Sequence, residues 1–229
     1  MTGVAHPFRV GIGGPVGSGK TALIERLVPM LVAAGRFVSV VTNDILTRED
    51  EWHVRAALAD VLEPGRIVGV ETGTCPHNAV REDPSMNLAV LDELEAAYPS
   101  TDVVFLESGG DNLTLTFSPE LVDFSVYVID VAGGDKIPRK RGQGLVQADL
   151  LVINKTDLAP FVGADLGIME RDARLVRDNR PFLFTDCRAG QGMDAVVEHL
   201  ERARTVVGNG DRRERLHREP AIAHGHVHR

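Results

Sequence analysis

Seven short runs of apolar, largely β-branched residues punctuate the chain. They are FRVGIGG (8–14), FVSVVTND (37–44), RIVGVETG (66–73), DVVFLESGG (102–110), FSVYVIDV (124–131), DLLVINKTD (149–157) and PFLFTD (181–186). None alternates cleanly between apolar and polar residues. A strand with one wet face alternates, whereas a strand covered on both faces does not. The runs therefore predict strands of a mainly parallel sheet. Between them the apolar period changes: Leu88, Leu91, Leu94 and Tyr98 recur at helical spacing, as do Met193, Val196, Val197 and Leu200. Strands alternating with helices predict an α/β, doubly wound fold.

Two features interrupt this pattern. Pro29 falls inside the helix expected after the first strand, where it should kink the helix or end it early. The periodicity also stops near residue 206. Residues 1–206 therefore read as one domain, and the polar, Gly-, Arg- and His-rich stretch 207–229 as a mobile tail. Its AHGHVHR sequence sets imidazoles at alternate positions. Such a tail either buffers a divalent metal weakly or simply solubilises the chain.

Composition narrows the function classes. A hydrophobic content of 43% and a charged content of 25% over 229 residues are those of a globular chain. The net charge of −8 argues against nucleic-acid and anionic-membrane partners, which call for a basic surface. No apolar run has the length of a membrane span, and MTGVAHPFRV lacks a signal-peptide core. Two cysteines, Cys75 and Cys187, make no disulfide framework, so a reducing cytoplasm is the expected setting.

The first strand runs into GPVGSGKT (14–21), which fits G-x-x-x-x-G-K-[ST] between a strand and a helix. Phosphate oxygens call for converging backbone N–H groups, and Gly14, Gly17 and Gly19 remove the side chains that would obstruct them. Ser18 lies within the loop, and the helix N-terminus adds a favourable dipole. Lys20 can reach the β- and γ-phosphates, and Thr21 can offer its hydroxyl to Mg²⁺. Downstream, the sixth run ends in NKTD. Asp157 there can accept hydrogen bonds from N1–H and the 2-amino group of guanine, a pair that adenine lacks. Lys155 can lie along the base, and Asn154 can brace the loop. GTP is therefore expected over ATP.

Asp44 and Glu107 close two other strands, where carboxylates face the ligand crevice of a parallel sheet. One of them should hold Mg²⁺, directly or through water. With Lys20 they form the expected catalytic set. Gly109 and Gly110 can offer N–H groups to a γ-phosphate. No glutamine stands in 107–112 to orient a water, so hydrolysis should be slow without a partner or dimer.

Cys75-Pro76-His77 places a thiol and an imidazole on a stiff turn. Both ligate Zn²⁺, Ni²⁺ or copper, yet two ligands are half of a four-coordinate set. A two-fold dimer would supply the other half. A buried cysteine beside a capping histidine would give the same three letters.

These motifs together resemble the UreG family of nickel-insertion GTPases, from His6 to about Leu200. The resemblance rests on HPFRVGIGGPVGSGKTAL, VVTNDILTRED, RIVGVETGTCPHNAVRED, ESGGDNLT, TFSPELVDFSVYVIDVAGGDKIPRK and LLVINKTDLAPFVGADL. It implies a G-protein-like P-loop NTPase, a cytoplasmic metallochaperone that delivers Ni²⁺ to apo-urease together with other accessory proteins. It also implies a homodimer stabilised by GTP and metal. The phosphate loop maps to Gly14, Gly17, Ser18, Gly19, Lys20 and Thr21, the guanine motif to Asn154, Lys155 and Asp157, and the nickel or zinc ligands to Cys75 and His77. Mg²⁺ falls to Thr21 and Asp44, while Glu49, Asp50, Glu71 and Asp83 lie in segments that couple nucleotide to metal. The chain departs from the family pattern at Thr74 and in KRGQG (140–144), where Arg141 and Gln143 stand. A related GTPase serving hydrogenase maturation, a GTP-dependent assembly factor that handles no metal and a small-molecule kinase are the alternative readings.

Overall fold

In the computed structural model of the chain, residues 6–44, 49–72 and 76–208 are described, positions 44, 49, 50, 76 and 77 by their backbone alone. All seven apolar runs form strands: β1 (Phe8–Gly13), β2 (Val38–Asp44), β3 (Ile67–Glu71), β4 (Val103–Glu107), β5 (Phe124–Asp130), β6 (Leu150–Asn154) and β7 (Phe182–Phe184). They make one sheet in the order β3-β2-β4-β1-β5-β6-β7, and every pairing is parallel. Several runs extend past their strands into turns, and those turns carry the polar motif residues.

The helices are α1 (Lys20–Ala33), α2 (Glu49–Ala57), α3 (Pro76–Val80), α4 (Ser85–Ala97), α5 (Gln143–Gln147), α6 (Ala159–Val162), α7 (Leu166–Val176) and α8 (Met193–Gly208). They cover both faces of the sheet. Val10, Ile12, Val40, Phe105, Val126 and Val128 pack with Leu23, Leu27, Leu31, Val196 and Leu200 of α1 and α8. On the opposite face, Val41, Val104 and Leu106 meet Leu91 and Leu94 of α4. Tyr127, Ile129, Leu151 and Ile153 meet Met169 and Ala173 of α7. Neighbouring residues of one strand thus enter different apolar layers, which is why the runs read as apolar throughout.

Pro29 does not end α1, which continues to Ala33. The proline removes one intrahelical donor, but Leu27 and Val28 before it and Leu31 after it are buried against the sheet. Packing on both sides outweighs the lost hydrogen bond. Trp52 stands on α2 with 65% of its surface exposed. The last described helix runs through Gly208, two residues into the stretch 207–229 read as a tail, and the rest of that stretch, from 209 onward, lies outside the described residues. Among the described residues no helix is long and apolar enough to cross a membrane.

The strand order sets the site. From β1 the chain crosses to β2 and β3, returns to β4, and then passes β1 to reach β5. The connections diverge around β1, so a crevice opens at the carboxyl ends of β1 and its neighbours, where the phosphate-loop motif lies.

Candidate nucleotide site

The segment between Gly13 and Lys20 folds back over the end of β1. Gly14 and Gly19 have φ of 146° and 96°, a region side chains disfavour. A Cβ on Gly14 would meet the Val128 carbonyl oxygen at 2.1 Å, and one on Gly19 would meet Asn154 Nδ2 at 2.3 Å. Conformation and space both require glycine there. Gly19 is also the N-cap of α1. No side chain caps that end, and its first turn holds no acidic residue. The leading N–H groups and the positive end of the helix dipole therefore point into the loop. Lys20 is buried and donates from Nζ to the carbonyls of Gly14 at 3.0 Å and Pro15 at 3.2 Å. The buried Ser18 hydroxyl has no partner among the described residues. A loop carrying N–H donors, a hydroxyl and an ammonium has the donor set that the oxygens of a phosphate chain call for.

Thr21 donates its hydroxyl to Glu107 Oε1 at 2.6 Å, and Glu107 is 2% exposed. The turn beyond Glu107 is fastened to the loop: Ser108 N–H bonds the Ile12 carbonyl at 3.0 Å, and Asp111 N–H the Gly14 carbonyl at 3.3 Å. A hydroxyl and a carboxylate at contact distance make a hard oxygen set that suits Mg²⁺. Asp44 is the last residue of β2, in register with Glu71, while Thr42 is in register with Glu107. Lys20, Asp44 and Glu107 thus come to one carboxyl edge of the sheet, with Asp44 one strand over from Glu107.

The NKTD residues meet the phosphate loop from the other side. Asn154, 2% exposed, donates from Nδ2 to the Ser18 carbonyl at 3.1 Å. Its Oδ1 accepts from the Thr185 hydroxyl and the Cys187 N–H, each at 3.1 Å. Lys155 has a left-handed backbone, φ 59°, and its Nζ reaches the Gly17 carbonyl at 2.5 Å and Asp130 at 3.4 Å. Asp157 is exposed on a short turn, Thr156–Leu158, with its carboxylate at the surface.

Sequence reasoning passed over the third wall of this site, Thr185–Arg188. Arg26 of α1 donates to the carbonyls of Cys187 at 2.8 Å and Arg188 at 2.6 Å, which pins that loop beside Asn154. The available signal was the polar TDCRAG run after the last strand, read only as a strand end. Burial pushes the Cys187 thiol up to about 11, so it stays protonated and packs as a small apolar group.

Of the expected metal ligands, Cys75 and its neighbour Thr74 lie outside the described residues. His77 is placed by its backbone in α3. No cluster of three or more His, Cys, Asp or Glu side chains that could hold a metal occurs among the described residues. Asp83 accepts from the Ser85 hydroxyl at 2.6 Å and the Ser85 N–H at 3.3 Å, bonds that hold its carboxyl below the usual range and open α4. In the divergent KRGQG loop, Arg141 adopts φ 55°, and Gln143 accepts from Arg81, just past α3, at 3.3 Å.

The family model described as CobW/HypB/UreG, nucleotide-binding domain matches residues 8–184. The urease accessory protein UreG of Edwardsiella ictaluri is 61% identical over 195 residues, 85% of this chain and 93% of that protein. Urease accessory protein UreG 2 of Methylorubrum extorquens is 62% identical over 190 residues, 83% of this chain and 88% of that one. This chain belongs to the UreG family. Among solved structures, it resembles the hydrogenase maturation factor HypB of Archaeoglobus fulgidus, with a TM-score of 0.68 and 24% identity over 86% of this chain and 90% of that one. HypB from Helicobacter pylori in complex with nickel gives a TM-score of 0.71 and 19% identity over 87% of each chain. At those identities the likeness establishes the fold. The expected doubly wound, mainly parallel α/β fold is thus borne out, with every pairing parallel, and it is shared with HypB; as a UreG-family protein this chain is a member of a P-loop NTPase family.

Proposed function

We propose that the protein is a cytoplasmic GTPase that carries Ni²⁺ to apo-urease with the other urease accessory proteins. In this reading Gly14–Thr21 hold the phosphates, and Asn154, Lys155 and Asp157 select guanine. Thr21, Asp44 and Glu107 manage Mg²⁺, which when bound neutralises charge on the β- and γ-phosphates. Lys20 turns from the carbonyls of its own loop to phosphate oxygens. Two copies of Cys75 and His77 enclose one nickel or zinc ion across a dimer axis, and hydrolysis opens that pair of half-sites. Without a glutamine in 107–112, hydrolysis by a single copy is slow.

One observation carries the reading. The Thr21–Glu107 contact and the Asn154–Ser18 contact gather around one loop the residues proposed here for phosphate, magnesium and guanine. Within the UreG family, that arrangement supports a guanine nucleotide as the switch. A ligand shifts an equilibrium only by its differential affinity, so GTP must favour the metal-loaded dimer.

Size-exclusion chromatography with light scattering tests the proposal directly. A dimer is expected with Ni²⁺ and a non-hydrolysable GTP analogue together, and monomer with GDP. Equal dimerisation and equal nickel affinity in the two nucleotide states would overturn it.

A further inference from the structure

A buried chain of amides runs from the nucleotide edge to α3, the helix that begins with Pro76 and His77. Asn43 of β2 donates from Nδ2 to the main-chain carbonyl of Glu107 at 3.0 Å. Asn87, in the first turn of α4, donates from its own Nδ2 to Asn43 Oδ1 at 2.8 Å and to the Ala79 carbonyl of α3 at 2.9 Å. Asn43 and Asn87 are both 0% exposed. Glu107 in turn holds the Thr21 hydroxyl through its carboxylate. The path is therefore Thr21, Glu107, Asn43, Asn87, Ala79, without a solvent-exposed side chain between the last four groups.

The chemistry of Asn87 is specific. Both hydrogens of its amide nitrogen are spent on two acceptors from different elements, while its Oδ1 is buried with no partner among the described residues. Burying an amide oxygen unpaired is costly, so the position is not optimised for stability alone. An aspartate has the same shape but no donor, and would set acceptor against acceptor twice. The last turn of α3 has a second tie: Val80 O accepts from Ser118 N–H at 2.7 Å. Ser118 lies on the segment that leaves β4 through the Glu107–Asp111 turn.

We infer that Asn87 is a positioning residue that couples the nucleotide state to metal affinity, by fixing α3 to the strand end that carries Glu107. The inference rests on the nickel-switch reading above. When the Glu107 turn and the end of β2 shift with the γ-phosphate, the amide chain moves Ala79. The three residues before it in α3, Pro76 to Asn78, with His77 among them, move with it. Connected packing is not itself coupling, so the test measures coupling.

Ni²⁺ affinity is measured for the full chain with Mg²⁺ and either GDP or a non-hydrolysable GTP analogue. The unaltered protein is expected to bind nickel at least about tenfold tighter with the analogue, within the usual span of allosteric couplings. In Asn87→Asp and Asn87→Ala that ratio is expected to fall to within about twofold of one, with the analogue still bound. A merely structural role lowers stability but leaves the ratio intact. A ratio of one in the unaltered protein overturns the nickel switch itself. Full coupling in a folded Asn87 variant overturns the relay alone. Hydrogen exchange over 76–83 in the unaltered chain, without nickel, needs no variant to fold. It is expected to differ between GDP and the analogue, and identical exchange overturns the relay.

Discussion

Thr21 at the start of α1 donates a hydrogen bond from its hydroxyl to Glu107 at the end of β4, across 2.6 Å. This bond closes the phosphate loop onto the neighbouring strand, and in the function proposed above its two oxygens would help to hold Mg²⁺. Thr21→Ala and Glu107→Gln should each weaken GTP binding in Mg²⁺ by roughly 10–100-fold, the worth of a charge-assisted contact at about 1.5–3 kcal/mol. Neither should matter in excess chelator. Isothermal titration in the two buffers checks this; equal losses with and without Mg²⁺ would place the defect in the loop and not in the metal.

Asp157 stands exposed beyond Lys155, and its carboxylate can accept from both N–H groups on the guanine edge. Asp157→Asn retains one acceptor and gains a donor. GTP affinity should fall by about 100-fold or more, because a site built around hydrogen bonds rejects a mismatched edge strongly. Xanthosine triphosphate, with an oxygen where guanine has its 2-amino group, should bind the variant better than GTP. Competition with a fluorescent nucleotide reads both.

Asn154 joins three segments, and its loss orphans the Ser18 carbonyl, the Thr185 hydroxyl and the Cys187 N–H at once. Asn154→Ala should cost about 2–4 kcal/mol. For a domain of this size the thermal midpoint should drop by roughly 5–15 °C. Circular dichroism melts without nucleotide would show it. An unchanged midpoint would mean that Arg26 and the bonds of Thr185 to Ile153 and Thr156 hold the 185–188 loop without Asn154.

Tyr127 is buried and donates a hydrogen bond from its hydroxyl to Asp111, whose carboxylate also accepts from the N–H groups of Leu113 at 2.8 Å and Leu115 at 3.0 Å. Burial, then the carboxylate, hold the phenol protonated far above its ordinary value of 10.0. The unfolded chain therefore loses this proton first. The stabilisation is complete below pH 10 and declines as pH rises past it. Tyr127→Phe should be less stable near neutrality and should show a shallower alkaline decline. Chemical denaturation between pH 8 and about 11 separates the two slopes.

The sheet was legible because a parallel strand buried on both faces has one simple signature. Val10 and Ile12 enter one layer and Val104 and Leu106 the other, so every residue of such a strand is under the same apolar pressure. The phosphate loop was legible because its glycines meet a steric demand at fixed spacing. Pro29 misled for the complementary reason: its local cost is visible in sequence, while the anchoring by Leu27, Val28 and Leu31 is tertiary. Asn43, Asn87 and Ala79 were invisible, since three ordinary residues on separate elements acquire meaning only when the fold brings their amides and carbonyls together. The Thr185–Arg188 loop was missed likewise, because the partner that defines it, Asn154, lies on another strand.

Trp52 is the chain's one tryptophan, and it projects from α2 into solvent. Its helix is tethered on two sides, by Arg55 to the Ile67 carbonyl at 2.6 Å and by His53 to Glu25 of α1 at 3.1 Å. All the indole emission of the protein therefore originates on the element that follows β2 and the Asp44 strand end. Unlabelled protein in a stopped-flow cell carries its own optical gauge of that region, and a nucleotide that moves α2 announces itself in the colour of a single side chain.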